Sequence, residues 1–209
     1  MSFASMYVNP VLLLSCLEKV AVFAETFELH TFPKENHRSI DKLVEIYNKY
    51  QSWPTTLVEL PIQATDSALH GMFIKMEDGS MTVAIAEGLS YEWTRFVICK
   101  ELMHGLLDED GFRDMNIAEH IGSMQLSFPD NESRPPITVQ VEFLAEVAAM
   151  EFLLPYSARK QAVASGLDLK DLAKAYGVPL KMVEVYCADS YMSHLNIEDV
   201  RARAAAHKD

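Results

Sequence analysis

Cysteine is scarce in this chain. Of 209 residues only Cys16, Cys99 and Cys187 are cysteines. They are odd in number and far apart, with no CxxC pair, so neither a disulfide framework nor a cysteine-rich zinc site is expected. A reducing cytoplasmic setting fits that usage. Positive charge is also short: Lys and Arg number 18 against 30 Asp and Glu, for a net charge of −12. That balance disfavours non-specific nucleic-acid binding, which depends on cations neutralising phosphates. It equally disfavours docking on an anionic membrane surface. No apolar run reaches the ~18 residues a membrane span needs. The apolar "VLLLSC" at 11–16 lacks a basic lead-in and is followed by Glu18 and Lys19, so it does not read as a signal peptide.

What is present is the composition of an ordinary globular chain. Hydrophobic residues make up 49%, enough for a substantial core. There are no internal repeats, no low-complexity segments and no convincing domain boundary, so residues 1–209 are expected to form one domain. Asn9 as cap and Pro10 at the first helical position open an amphipathic helix over 9–29. A second helix, 38–51, places Ile40, Leu43, Val44 and Tyr47 on one face before Trp53-Pro54 breaks it. These make an N-terminal helical section over 9–51. A β section follows over 55–86. "TTLVELPI" (55–62) is strand-like, and Asp78-Gly79 between "ALHGMFIKM" and "MTVAIA" is a strong hairpin signal.

The two long helices of the next section, 90–155, carry the chemistry. Ser90 can cap a helix over 91–107 that contains "KELMH", and "TVQVEFLAEVAAMEFLL" gives a helix over 138–154 closed by Pro155. Between them, residues 109–138 read as a long polar loop with a helical turn or two near 115–123. Shorter helices are expected at 156–165, 168–176 and 179–192, punctuated by Gly166 and Gly177, and the tail "RARAAAHKD" is expected to fray.

"KELMH" is one residue from HExxH. In that pattern two histidines at i and i+4 sit on one helical face and bind one zinc, and the Glu at i+1 is the general base for the metal-bound water. Here Lys100 holds the first ligand position, Glu101 the base position and His104 the second ligand position. A protonated lysine has no lone pair and cannot ligate zinc. On the second helix, Glu142, Ala145, Ala149 and Phe152 share one face. A carboxylate followed by small residues is what a third ligand needs, because the small side chains let the two helices approach closely.

Several readings remain open at these positions. Lys100 is a solvated lysine, a charge substitute for the metal that pairs with Glu142 and Glu101, or a bystander to a metal held by other ligands. His104 is a metal ligand or a satisfied structural histidine, and Glu101 a base or a surface glutamate. Asp108, at i+4 from His104, is part of a solvated acidic helix end or a substitute ligand or supporting group. His120 from the loop and Glu146, one turn beyond Glu142, are further substitute ligands. His70 lies beside the hairpin, and Cys99 reads as core. "LKDLAKAYGVPLKMVEVYCA" has the outline of a helix-turn-helix with Gly177 at the turn, but its second helix mixes Lys181 with Glu184 and Asp189, so packing is the better reading.

The order hairpin, "RFVICKELMHGLLD", loop, "EFLAEVAAMEFLLP" resembles the ImmA/IrrE-type metallopeptidases, whose pattern runs as a hairpin, "RFTxAHELGHxLLH", a loop and "ExxANxFAxxLLMP". The C-terminal "DLAKAYGVPLKMVEVY" is similar to that family's "LAxxFGVSxxxxxxR", and the match covers roughly 55–190. The resemblance implies an α+β zincin-like fold, a small antiparallel β sheet or hairpin packed against a helix bundle. By position it implies Glu101 as general base, with His104 and Glu142 as metal ligands. Lys100 departs from the pattern, and Met103 stands where the family has glycine. The resemblance further implies a regulatory setting, such as toxin–antitoxin or stress control, with a protein partner, typically a transcription repressor. The expectation is a degenerate, partner-binding member with a damaged zinc site. One alternative is an active zinc endopeptidase with a substitute ligand that cleaves a regulatory protein. The other is a DNA-binding regulator working through its C-terminal helices.

Overall fold

The computed structural model describes residues 8–30, 38–63, 70–107 and 137–206. Helix α1 spans Pro10–His30 and α2 Ile40–Gln51. Strands β1 (Thr55–Gln63), β2 (Gly71–Lys75) and β3 (Met81–Glu87) follow, then the long helices α3 (Tyr91–Leu106) and α4 (Ile137–Leu153). Five shorter helices complete the described residues: α5 (Tyr156–Ser165), α6 (Leu169–Tyr176), α7 (Leu180–Tyr186), α8 (Asp189–His194) and α9 (Ile197–Ala206).

Local chemistry sets the ends. Asn9 accepts a hydrogen bond from the Val11 amide at 2.9 Å and starts α1. Ser39 and Ser90 cap α2 and α3 in the same way. Gly166 and Gly177 take the left-handed conformation just beyond α5 and α6, where a side chain would be strained. On α1, Leu13, Cys16, Val20, Phe23 and Phe27 are buried at helical spacing.

The sheet order is β1-β3-β2. The hairpin forms where Asp78-Gly79 places it: β2 pairs antiparallel with β3, Gly79 has φ +83°, and Asp78 accepts from the Ser80 amide at 2.8 Å. β1 joins the other side of β3 in parallel, Thr55 opposite Met81 through Leu60 opposite Ala86. The sheet is therefore mixed and not antiparallel throughout as expected, because the chain lays β3 between β2 and β1, antiparallel to the first and parallel to the second. The α+β class is as expected, with helix in the majority.

Helix α3 lies at the centre, with α4 packed along it. Ala145, Ala148 and Ala149 of α4 are wholly buried, and their small side chains permit the close approach. Gly105 serves a similar end on α3. A β-carbon there would lie 2.0 Å from the Tyr47 hydroxyl and 3.1 Å from the Phe73 ring. Tyr47 is fully buried, so it cannot swing away. Gly105→Ala is expected to cost about 1–2 kcal/mol net, overpacking outweighing the gain in helix propensity. Urea unfolding measures the loss, and adding Tyr47→Phe should recover part of it; an unchanged midpoint would contradict this packing.

Two further details differ from the sequence-based expectation. The stretch 179–192 is two helices, because the backbone leaves α-helical pairing at Cys187-Ala188, where Ala188 is extended with ψ 144°. The tail does not fray as expected over its described part: α9 buries Val200 and Ala204, and α1 is the helix it packs against. No described helix is long and apolar enough to cross a membrane.

Candidate functional site

From Arg95 to Leu107 every residue is buried except two, Lys100 and His104. They are one turn apart, so α3 leaves one stripe open, and that stripe holds the two positions that ligate metal in HExxH. Across from it α4 presents Glu142 and Glu146, also one turn apart and only partly buried, on a helix otherwise almost sealed. The site is thus a strip between the two central helices.

Lys100 bridges the strip. Its Nζ donates to Glu142 Oε2 at 3.0 Å and lies 3.0 Å from Glu101 Oε1. Burial pulls the lysine toward its neutral form, but the two carboxylates more than offset this and its pKa is raised. The ammonium therefore stays charged. His104 Nε2 lies 3.3 Å from Glu142 Oε1, on the carboxylate's other oxygen. Burial alone would raise the Glu142 carboxyl; His104 and Lys100 together hold it down at about 2. Glu101 is 3% exposed. It is closed off by β2, since a β-carbon on Gly71 would meet Val97 at 2.3 Å and Glu101 at 3.1 Å.

Glu146 sits one turn along from Glu142 and takes a hydrogen bond from the buried Tyr186 hydroxyl at 3.0 Å. Burial raises its carboxyl, more than Tyr186 and Lys100 lower it. Tyr186 has no signal in the sequence beyond its place in a helical apolar pattern. Arg95 is also buried and donates through Nε to the Gly177 carbonyl at 3.0 Å, tying the start of α3 to the α6–α7 turn. Met103, at the family's glycine position, is wholly buried in the core. Cys99 is core as well, and burial pushes its thiol up to about 12. His70 stands 6.3 Å from the Trp93 ring, apart from the strip's ionic contacts. Asp108 and His120 lie outside the described residues.

The donor set can be weighed against a zinc ion. The first ligand position offers an ammonium, which has no lone pair. Among the described residues no three His, Cys, Asp or Glu side chains are placed to hold a metal. The described donors as arranged do not fit zinc. A groove of about 480 Å³ lies elsewhere, between the start of α3 and the α6–α7 turn, and includes none of Lys100, Glu101, His104 or Glu142.

A family model matches most of the chain. Residues 53–187 match the IrrE N-terminal-like domain of the Peptidase_M78 family, more than half of the chain. The chain belongs to that family. No curated protein matches the sequence. Among solved structures it is similar to a Mycobacterium tuberculosis transcriptional regulator, at 16% identity and a TM-score of 0.48. That likeness covers 84% of this chain and 51% of the regulator, so the chain spans about half the regulator's length.

Proposed function

We propose that this protein is a non-cleaving member of the IrrE-like family, in which the Lys100 ammonium takes the place of the catalytic zinc. The observation that carries the reading is Lys100 Nζ, 3.0 Å from both Glu101 and Glu142. Removing a divalent ion from a partly buried site leaves its carboxylates uncompensated, which is costly. A lysine reaching into the same space restores the balance with no metal. Glu101, the residue at the base position, is spent on that ion pair and shielded by Gly71. It cannot meet a water and a substrate carbonyl at once.

The function left to such a site is binding. β2 is an edge strand whose Gly71 end lies over Glu101. An extended segment of a regulatory protein, such as a transcription repressor, can add along such an edge through backbone hydrogen bonds. The net charge of −12 argues against the alternative of DNA binding, as does α7, whose exposed Lys181 and Glu184 have opposite signs.

Thermal unfolding with and without added zinc tests this. The natural protein should melt at the same temperature in both. Lys100→His, which supplies an imidazole at the first ligand position, should gain several degrees in excess zinc. Adding Glu142→Gln should remove that gain. A zinc-dependent rise in the natural protein would instead favour an active peptidase with a substitute ligand.

A further inference from the structure

The groove between the start of α3 and the α6–α7 turn collects two features that are rare in this chain. The first is unpaired positive charge. Lys and Arg number 18 against 30 Asp and Glu. Among the described residues the ammonium groups of Lys160, Lys170, Lys174 and Lys181 enter no ion pair, hydrogen bond or ring contact. The last three all line this groove. Lys170 and Lys174 stand one turn apart on α6 and share a face, while Lys181 comes from α7. The second feature is an exposed aromatic ring. Tyr91, 60% exposed, is the only exposed Phe, Tyr or Trp among the described residues, and it lines the same groove.

Arg95 lies behind the groove wall. Its Nε donates to the Gly177 carbonyl, and its guanidinium stands 5.7 Å from the centre of the Tyr91 ring. Gly177 and Tyr91 both line the groove. Arg95 is 2% exposed, and its Nη2 has no hydrogen-bond partner among the described residues. No described carboxylate pairs with it. A buried cation without a counter-ion is costly, and an anion held in the groove offsets that cost.

Charge and size select the ligand. The lining holds three lysines against one carboxylate, Glu92, an excess of two positive charges. A phosphate monoester carries about −1.5 to −2 at neutral pH and matches that excess. Lysines act as point charges on the several oxygens of a phosphate. A volume of about 480 Å³ suits a small molecule. Duplex DNA or an acidic protein would also meet the rest of a chain carrying −12. We propose that this groove binds a small phosphate monoester with an aromatic body, its phosphate on Lys170, Lys174 and Lys181 and its ring stacked against Tyr91. The site is separate from the Lys100 strip and stands whether or not that strip holds a metal.

Isothermal titration calorimetry with AMP, adenosine and inorganic phosphate tests this. AMP should bind at least about tenfold more tightly than either fragment, because it alone engages both the lysines and the ring. Each single Lys→Gln change at 170, 174 or 181 should weaken AMP about two- to fivefold, and the triple variant should bind AMP no better than adenosine. Lys160→Gln, outside the groove, should change nothing. Tyr91→Ala should weaken AMP and adenosine alike and leave inorganic phosphate unaffected. These side chains are exposed, so an unchanged melting temperature without ligand is expected and shows that each variant folds. An uncharged peptide bearing one phosphotyrosine separates a phosphorylated protein from a small molecule as the source of the phosphate, and should bind more weakly than AMP. No heat from AMP up to ~5 mM overturns the proposal. So does AMP binding no tighter than adenosine, a triple variant that binds AMP as the natural protein does, or a phosphopeptide that binds more tightly than AMP.

Discussion

Lys100→Met should destabilise the fold by about 3 kcal/mol at neutral pH, the loss expected when one partner of a buried pair is removed and the other is left behind. Glu101, 3% exposed, would lose the cation at its Oε1, and the shape of methionine offers it nothing in return. Glu142 contributes less, because its side chain is 44% exposed and water screens it. The pH dependence follows from the same contacts. The Glu142 carboxyl is held at about 2 against an ordinary 4.5, burial raising it and His104 and Lys100 lowering it further. A carboxyl lowered in the folded state adds stability above its unfolded pKa and loses it as pH falls through the folded one. The natural protein should therefore shed stability from about pH 5 toward pH 2. Lys100→Met, with less of that depression, should shed less, so the gap between them narrows in acid. Urea unfolding at several pH values measures this. Equal stability at neutral pH would mean that the ammonium does not compensate the carboxylates.

Arg159→Met should be at least as severe. Arg159 is fully buried among α4, α5 and α7, its guanidinium paired with Glu151 and donating to the Tyr186 carbonyl at 3.2 Å. It also stands over the rings of Tyr156 and Tyr186. Burial lowers its pKa to about 10, still far enough above neutral pH that the guanidinium stays charged. Methionine fills much of the volume but leaves Glu151 without its cation and the Tyr186 carbonyl without a donor. The expected cost is about 3–5 kcal/mol, a large share of the roughly 5–15 kcal/mol typical of a domain. Glu151 also accepts from the Tyr156 amide at 2.9 Å, so the start of α5 loosens with it. Replacing both charges, Arg159→Met with Glu151→Leu, should recover part of the loss, since an apolar pair removes the stranded charge. Thermal and urea unfolding of the three proteins decide the point. A single variant within about 0.5 kcal/mol of the natural protein would contradict the network described here.

These positions show where the sequence is informative. The hairpin is legible because Asp78-Gly79 between apolar runs admits few other conformations. The helices α1 to α4 are legible from caps and spacing. Helical geometry also brings Lys100, Glu101, His104 and Glu142 within reach of one another, since i and i+4 positions share a face and the alanines of α4 set its approach. The parallel pairing of β1 is not legible, because a strand's neighbours depend on where the chain returns. Nor is the Arg159 cluster: an arginine in "YSARKQAVAS" looks like any helix-surface arginine until α7 folds over it. The tail misleads for a related reason. "RARAAA" is polar and alanine-rich, yet Val200 and Ala204 fall on one face and find α1. Tyr186 beside Glu146 joins residues forty positions apart, which no local pattern can reveal.

The central claim is that an ammonium stands where this family's fold would place a metal. The most direct measurement is the zinc content, by elemental analysis, of untagged natural protein alongside Lys100→His. The account predicts no zinc in the natural protein and close to one equivalent in the variant. Stoichiometric zinc in the natural protein would contradict it, and would make Lys100 a neighbour of the metal rather than its replacement.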